Sequence, residues 1–464
     1  MTDERDQQRP LGSRWSTLAM VVLGCALVAI TAASFRTPNT DTEILLLAGA
    51  TVGLVASTAV LLRFGWSSVA SSAVVGASTI GIMLVLAVTD WSVVSQVRVI
   101  VVMSAFAGCT ALLVLARIAL SSLTLVVMGA VLIAVFLAAS ASVLGSDVEM
   151  DVVHLHEQAA DALASGNNPY TTGNVSVWED RPGDDLELIK EYTYPPATLV
   201  WYSAAAWLTG DSRWAGAFAV AAACLILLVH GARSPMESGM LWRCIAAIAF
   251  IVGNPLTLLM VSLGWNETIA LPAFVLALAL WRRSIIGTAV AVGLAIATKQ
   301  YFILIVPALA VLPDPASRKR LVIALATCLA TFVPFLLWDA GGLVAGTVTH
   351  HLTRAPRSDG LTLAGLGIVL PTIVAVGASV VVGLLLARQR QGAGPAYLAF
   401  ASALAVFTVL AVRGFRNSWW LVIVLVVVAL VDAVEPENPD ELSARSADDE
   451  HQSSSSVEAG RRQR

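Results

Sequence analysis

GTAVAVGLAIATKQYFILIVPALAVL, residues 287 to 312, is membrane-type sequence interrupted near its middle by a single charge, Lys299. The chain has only three lysines, at 190, 299 and 319. A lone ammonium near the centre of a bilayer costs roughly 2.5 to 3.5 kcal/mol on insertion scales, so it is rarely found there without a partner. Lys299 is therefore expected to mark a break between two spans and to face something anionic.

The same type of sequence extends through most of the chain. Of 464 residues, 57% are hydrophobic and 13% charged, and the mean hydropathy is +0.78. Those values exceed what a soluble core requires and predict an all-α, polytopic transmembrane helix bundle. The formal charge of -4 reflects loops and tails, and no basic stripe exists to hold nucleic acid. Cys25, Cys109, Cys224, Cys244 and Cys328 lie in apolar stretches without paired spacing, which fits packing rather than disulfides or a metal knuckle. The first apolar run, Trp15 to Phe35, is too long for a signal-peptide core and is expected to remain in the mature protein.

Apolar runs at 15–35, 44–62, 70–88, 99–115 and 123–144 precede a polar stretch, and ten more follow it, at 196–209, 214–230, 242–260, 268–281, 285–298, 301–312, 321–338, 361–387, 396–412 and 417–434. This predicts about 13 to 15 helices, several too short to cross about 30 Å alone and so broken or re-entrant. Arg63, Arg117, Arg282, Arg283, Arg318, Lys319, Arg320, Arg388 and Arg390 share one side if the ends alternate, and that side is cytoplasmic by the positive-inside rule. Lys299, the 145–195 loop and the 339–360 segment then lie on the extracytoplasmic side, provided that the run 196–209 does not fully cross. The expected organisation is a cytoplasmic tail (1–14), N-terminal helices (15–144), an extracytoplasmic loop (145–195), a membrane core (196–434) and a disordered acidic tail (435–464).

The loop from Gly145 to Pro195 holds eleven acidic and two basic residues, too polar for hydrocarbon. Within it DVVHLHEQAADALAS, residues 151–165, puts Val152, Leu155, Ala159 and Leu163 on one helical stripe that closes at Gly166. This predicts an interfacial amphipathic helix with Asp151 at its start, either a plain N-cap or a base facing a cavity. His154, His156 and Glu157 are poorly spaced for a metal, because positions two apart on a helix point to different sides. Asn167 to Tyr170 read as a turn, and Tyr194, Pro195 and Pro196 as a rigid helix entry.

An acidic residue after a span, then G-x-NPY (Gly166 to Tyr170) and YPP (Tyr194 to Pro196) follow in order. They continue in GWNE (Gly264 to Glu267), KQ (Lys299 and Gln300) and RSDGLTLAGL (Arg357 to Leu366). Over residues 145–420 this order resembles the polyprenol-phosphate-mannose-dependent α-1,2-mannosyltransferases and their relatives in the GT-C superfamily of membrane glycosyltransferases. The resemblance implies a catalytic carboxylate in the first long extracytoplasmic loop, carried by Asp151, with Asp147 and Glu149 close enough to compete. GWNE departs from the more usual glutamine-containing string, which bears on the substrate.

A lipid-phosphate donor keeps its tail in the bilayer, so its enzyme needs a cation at membrane depth and a base in a wet cavity above. Asp151 would accept the proton of the acceptor hydroxyl as that oxygen attacks sugar C1, with inversion, and Lys299 would stabilise the departing phosphate. His350, His351, Arg354 and Arg357 are further phosphate ligands by charge. Asn168, Tyr170, Tyr194, Asn266, Glu267, Gln300 and Arg416 are expected to line the substrate cavity. The expected partners are a polyprenyl-phosphate sugar donor, mannose first, a glycan or glycolipid acceptor and the lipid bilayer of the plasma membrane. A divalent metal would suit the acidic loop, although no ligand spacing requires one. The alternatives are a transporter or lipid flippase, for which no repeated halves are found, and an inactive assembly subunit, in which Asp151 is dispensable.

Overall fold

The computed structural model of the protein describes residues 11–35, 41–64, 66, 68–87, 108–111, 120–145, 150–171, 192–234, 239–353, 361–412 and 416–432. The tail from 435, Asp147, Glu149, Arg354, Arg357 and most of the run 99–115 lie outside these residues.

The described residues form an all-helical, multi-pass membrane bundle. The N-terminal helices are α1 (Leu11–Phe35), α2 (Asp41–Phe64), α3 (Ser68–Ala87) and α4 (Ser122–Leu144). Two shorter helices, α5 (Asp151–Ala164) and α6 (Pro196–Thr209), precede α7 (Trp214–Ala232), α8 (Met240–Gly253) and α9 (Pro255–Ser262). Then come α10 (Leu271–Leu280), α11 (Ile285–Ile296), α12 (Ile305–Val311) and α13 (Ser317–Val344). The chain closes with α14 (Thr372–Ala387), α15 (Ala393–Leu410) and α16 (Arg416–Val431). Six described helical segments are long and apolar enough to cross alone, and α8 with α9, bent by 54°, makes a seventh.

The centre of the bundle is α16, apolar all round and buried from Trp419 to Val431. A helix without a polar face has nothing to offer water or headgroups, so it packs inside. At the periphery, α13 presents Leu329, Val333 and Leu337 outward. Its helical run continues to Thr353, 37 residues in all. The run is not straight: Asp339 is non-helical (φ -158°, ψ 100°) five residues after Pro334, and a π turn spans Ala345–Thr349. Gly293 lets α11 and α13 approach closely: a Cβ there would meet the Thr327 Cβ at 2.7 Å, the small-residue contact on which helix packing in lipid depends.

Two apolar runs are not single spans. The run 361–387 divides into a 3-10 turn, Leu363–Leu366, and α14, separated by Gly367 at φ 77° and by Pro371. The run 242–260 bends where Asn254 caps the second half and Pro255 removes a donor.

The run 196–209 does not cross. Its first residues follow the strap 192–195, and after Thr209 the chain turns through Gly210. The Arg213 guanidinium then donates to the carbonyl of Leu144, at the C-terminus of α4 and on the same end of the bundle. Thus α6 begins and finishes at one end and lies along it.

The opposite end gathers arginines. Arg390 donates to the Leu62 carbonyl at 2.6 Å, Arg282 pairs with Asp432, and Arg320 bonds Asp314 and the Trp281 carbonyl.

Candidate functional site

Two helix breaks meet on the α6 end of the bundle. The first follows α9, which finishes in a Schellman cap: Gly264 N–H donates to the Val261 carbonyl and Trp265 N–H to that of Met260. The cap requires φ of +65° at Gly264, a left-handed conformation that glycine adopts without strain. Absence of a side chain matters here too, since a Cβ would lie 2.8 Å from Cγ2 of Val153 on α5. The turn delivers the 3-10 segment Asn266–Ala270 into the interior, every residue buried. The second break follows α11, where Lys299 is extended (φ -154°, ψ 140°) before the 3-10 segment Gln300–Leu304. Irregular backbone at membrane depth survives only inside protein or beside a cavity, where its polar groups find partners. The Thr198 hydroxyl of α6 supplies one, donating to the Thr298 carbonyl.

Lys299 therefore does break the run into two, and its anionic partner is Glu267. The ammonium pairs with Glu267 Oε1 and donates to Asn266 Oδ1 at 2.7 Å. The same carboxylate oxygen accepts from the Tyr301 hydroxyl at 2.6 Å and from Asn417 Nδ2 at 2.8 Å. Glu267 is 0% exposed and Lys299 8%. Such a pair costs much desolvation and persists only when its remaining valences are met. Glu267 Oε2, Asn266 Nδ2 and Asn417 Oδ1 are buried without a hydrogen-bond partner, which leaves three unsatisfied polar atoms beside the pair.

The wall above it is aromatic. The ammonium lies 5.8 Å from the ring centroid of Tyr194 and 5.2 Å from that of Tyr301, within cation–π range. The strap 192–195 is fixed from three directions: Gln300 Nε2 and His351 Nε2 both lie 2.8 Å from the Thr193 carbonyl, and the Tyr170 hydroxyl donates to the Tyr194 carbonyl at 2.8 Å. Tyr170 is held in turn by the Asn168 side chain, which accepts its N–H. Gly166 ends α5 with the same cap geometry as Gly264. In G-x-NPY and GWNE alike, a cap glycine reverses the chain and turns polar residues toward the site.

Above the wall lies α5, amphipathic as expected. Val152, Leu155 and Ala159 are buried while His154 is exposed, so the two histidines of HLH face opposite ways. His156 stacks on Tyr202, centroids 3.6 Å apart, and bonds the Tyr192 hydroxyl. Burial, followed by the charge of Lys299, pushes its imidazole well below the ordinary range. Among the described residues no three His, Cys, Asp or Glu side chains gather as metal ligands.

Asp151 is the first residue of α5, with Met150 as the cap residue. Its Oδ1 accepts the Val152 N–H at 2.8 Å, and the side chain is half-buried. It does not cap the helix in the ordinary way, by accepting from the second or third helical amide. Asp151 is tied to the Lys299 cluster through α5, by Val153 against Gly264 and His156 beside Tyr194, rather than by a direct bond.

Asn168, Tyr170, Tyr194, Asn266, Glu267, Lys299, Gln300 and His351 thus belong to one connected assembly. His350 rests edge-on against His351. Arg416 adjoins Asn417 and lies in electrostatic range of Glu43 at the start of α2. Asn417 is legible in the sequence as part of a polar break, with Arg413 and Arg416, between the last two spans, and it does reach Glu267. Tyr301, Tyr192 and Tyr202 are partners that no residue-by-residue reading selects as a set, the one available signal being that Tyr301 adjoins the KQ pair.

No family model and no curated protein matches the chain. A similar solved structure is that of ArnT from Cupriavidus metallidurans bound to undecaprenyl phosphate, 16% identical with a TM-score of 0.43. The match covers 66% of this chain, which spans 59% of that protein's length. At that degree of overlap, fold and chemistry rest on the contacts described above.

Proposed function

We propose that this protein is a membrane glycosyltransferase of the GT-C type. It moves a sugar, mannose by resemblance, from a polyprenyl-phosphate donor to a glycan or glycolipid acceptor outside the plasma membrane. The observation that carries the reading is the meeting of two broken spans beneath an amphipathic helix, with a buried ammonium below and the half-buried Asp151 carboxylate at the start of that helix. A lipid-linked donor needs both, since its reacting carbon sits at the interface while its tail stays in hydrocarbon.

In this reading Asp151 takes the proton of the acceptor hydroxyl while the oxygen attacks sugar C1. The bond from C1 to the phosphate oxygen breaks, inverting the centre. Lys299 spends two of its three N–H groups on Asn266 and Glu267, and the third meets the departing phosphate. Because Glu267 neutralises the pair, Arg354 and Arg357, which follow directly on the helical run ending at Thr353, supply the balancing charge. Tyr194 and the unsatisfied polar atoms of Asn266, Glu267 and Asn417 would orient the sugar.

A membrane-fraction assay with labelled polyprenyl-phosphate sugar tests this. Transfer should be lost in Asp151→Asn and retained in Asp147→Asn and Glu149→Gln. Undiminished transfer in Asp151→Asn would remove Asp151 as the base, and accumulation in vesicles without transfer would favour transport.

A further inference from the structure

At the arginine-rich end, remote from Lys299, a recess of about 790 Å³ opens between the starts of α11 and α13 and the turn before α15. Arg282, Arg283, Lys319 and Arg320 line it against one acid, Asp314. Arg320 is tied to Asp314 and Arg282 to Asp432, and among the described residues no ion pair takes up Arg283 or Lys319. A net positive lining remains.

Two backbone features add to it. The recess receives the N-termini of α11 and α13, both far longer than one turn. The first is capped by Ser284, whereas the second has no side-chain cap. Such ends carry unpaired N–H groups and a partial positive charge, which together favour anions. The side-chain evidence is independent of that. Arg320 is 6% exposed, its Nε is buried without a partner, and its guanidinium lies 4.5 Å from the Trp281 ring centroid. A stacked, immobilised guanidinium fixes one positive charge in the wall of the recess.

We propose that this recess binds a phosphate group, presented by an anionic phospholipid headgroup at the cytoplasmic surface. The position favours that source, since the flanking segments are membrane helices and the volume exceeds what bare phosphate needs. Basic recesses between membrane helices on this side are physically suited to acidic headgroups.

The test is native mass spectrometry and thermal shift on the full chain in neutral detergent, titrated with dioctanoyl phosphatidylglycerol, dioctanoyl phosphatidylcholine or inorganic phosphate. One phosphatidylglycerol should bind per chain, with no comparable phosphatidylcholine. The double variant Arg283→Gln, Lys319→Gln removes two exposed charges without touching packing. It should weaken binding roughly thirtyfold, from about 1 kcal/mol per basic residue. Arg388→Gln, an exposed arginine of the same end outside the recess, should change nothing. Phosphatidylglycerol binding that ignores the double variant, or that falls equally in Arg388→Gln, would overturn the site. Variant-sensitive binding of inorganic phosphate without the lipid would keep the anion site and reassign its source to solution.

Discussion

Lys299 and Lys319 are twenty residues apart and end on opposite sides of the bundle. At the break after α11, Lys299 is almost wholly buried and meets a carboxylate, an amide and two aromatic rings. In the first turn of α13, Lys319 is exposed beside an open recess with no ion-pair partner among the described residues. The contrast shows what depth does to one residue type. Inside the bundle a charge must bring its counter-charge and hydrogen bonds with it, which rigidifies its surroundings. At the membrane surface, water and headgroups do that work, and the cation remains available to a visitor.

Several measurements would break or sharpen this contrast. The largest effect belongs to the Lys299 end. Asp151→Asn should cut sugar transfer a hundredfold to ten-thousandfold, the range for a general base, with an unchanged melting temperature; an activity loss accompanied by unfolding would mean a structural role instead.

Next comes Glu267→Gln, which strands the ammonium of Lys299. Breaking a buried pair by one partner costs about 3 to 5 kcal/mol. Thermal unfolding should register that drop, and the double variant Lys299→Met, Glu267→Gln should recover most of it. A double variant as unstable as the single would mean that the pair is not what ties the two breaks together.

The two cap glycines make a finer comparison. Gly166→Ala has open space and should cost about 1 kcal/mol from its positive φ alone. Gly264→Ala must also displace Val153, adding roughly 1 to 3 kcal/mol of overpacking. Equal melting shifts would argue against close seating of α5 on the GWNE turn.

His156 provides the pH probe. Its folded pKa is depressed by burial and by Lys299, so the unfolded chain binds the extra proton and stability rises with pH. The contribution is complete above the unfolded value of about 6.5 and erodes as pH falls below it. Melting temperatures measured from pH 7.5 down to 5 should decline in the wild type and decline less in His156→Phe. At the small end, Arg283→Gln with Lys319→Gln should shift stability by under about 0.5 kcal/mol, as surface changes do; a larger loss would mean that the recess is structural.

Much of this was legible in the residues themselves. The membrane class, the amphipathic α5, the break at Lys299 and the cap glycines are local properties: hydropathy, helical period and φ preference are carried by neighbours in the chain. The resemblance strings were legible as well, and polar residues of G-x-NPY, YPP, GWNE and KQ join one connected assembly. The arginine distribution anticipated one basic end, now tied together by Arg390 on Leu62 and Arg282 on Asp432.

Only the tertiary structure decided the rest. Sequence leaves open whether the run 196–209 crosses, whereas the structure puts both ends of α6 on one side of the bundle, with Arg213 anchored at the end of α4. Charge predicts that Lys299 needs an anion but is silent on which one, since the choice of Glu267 depends on how two broken helices pack across 32 residues of chain. Asn417 reaches the same carboxylate from 150 residues away. Pairings of that kind follow from long-range packing, which is set by the shape of the whole bundle and by no short stretch of sequence.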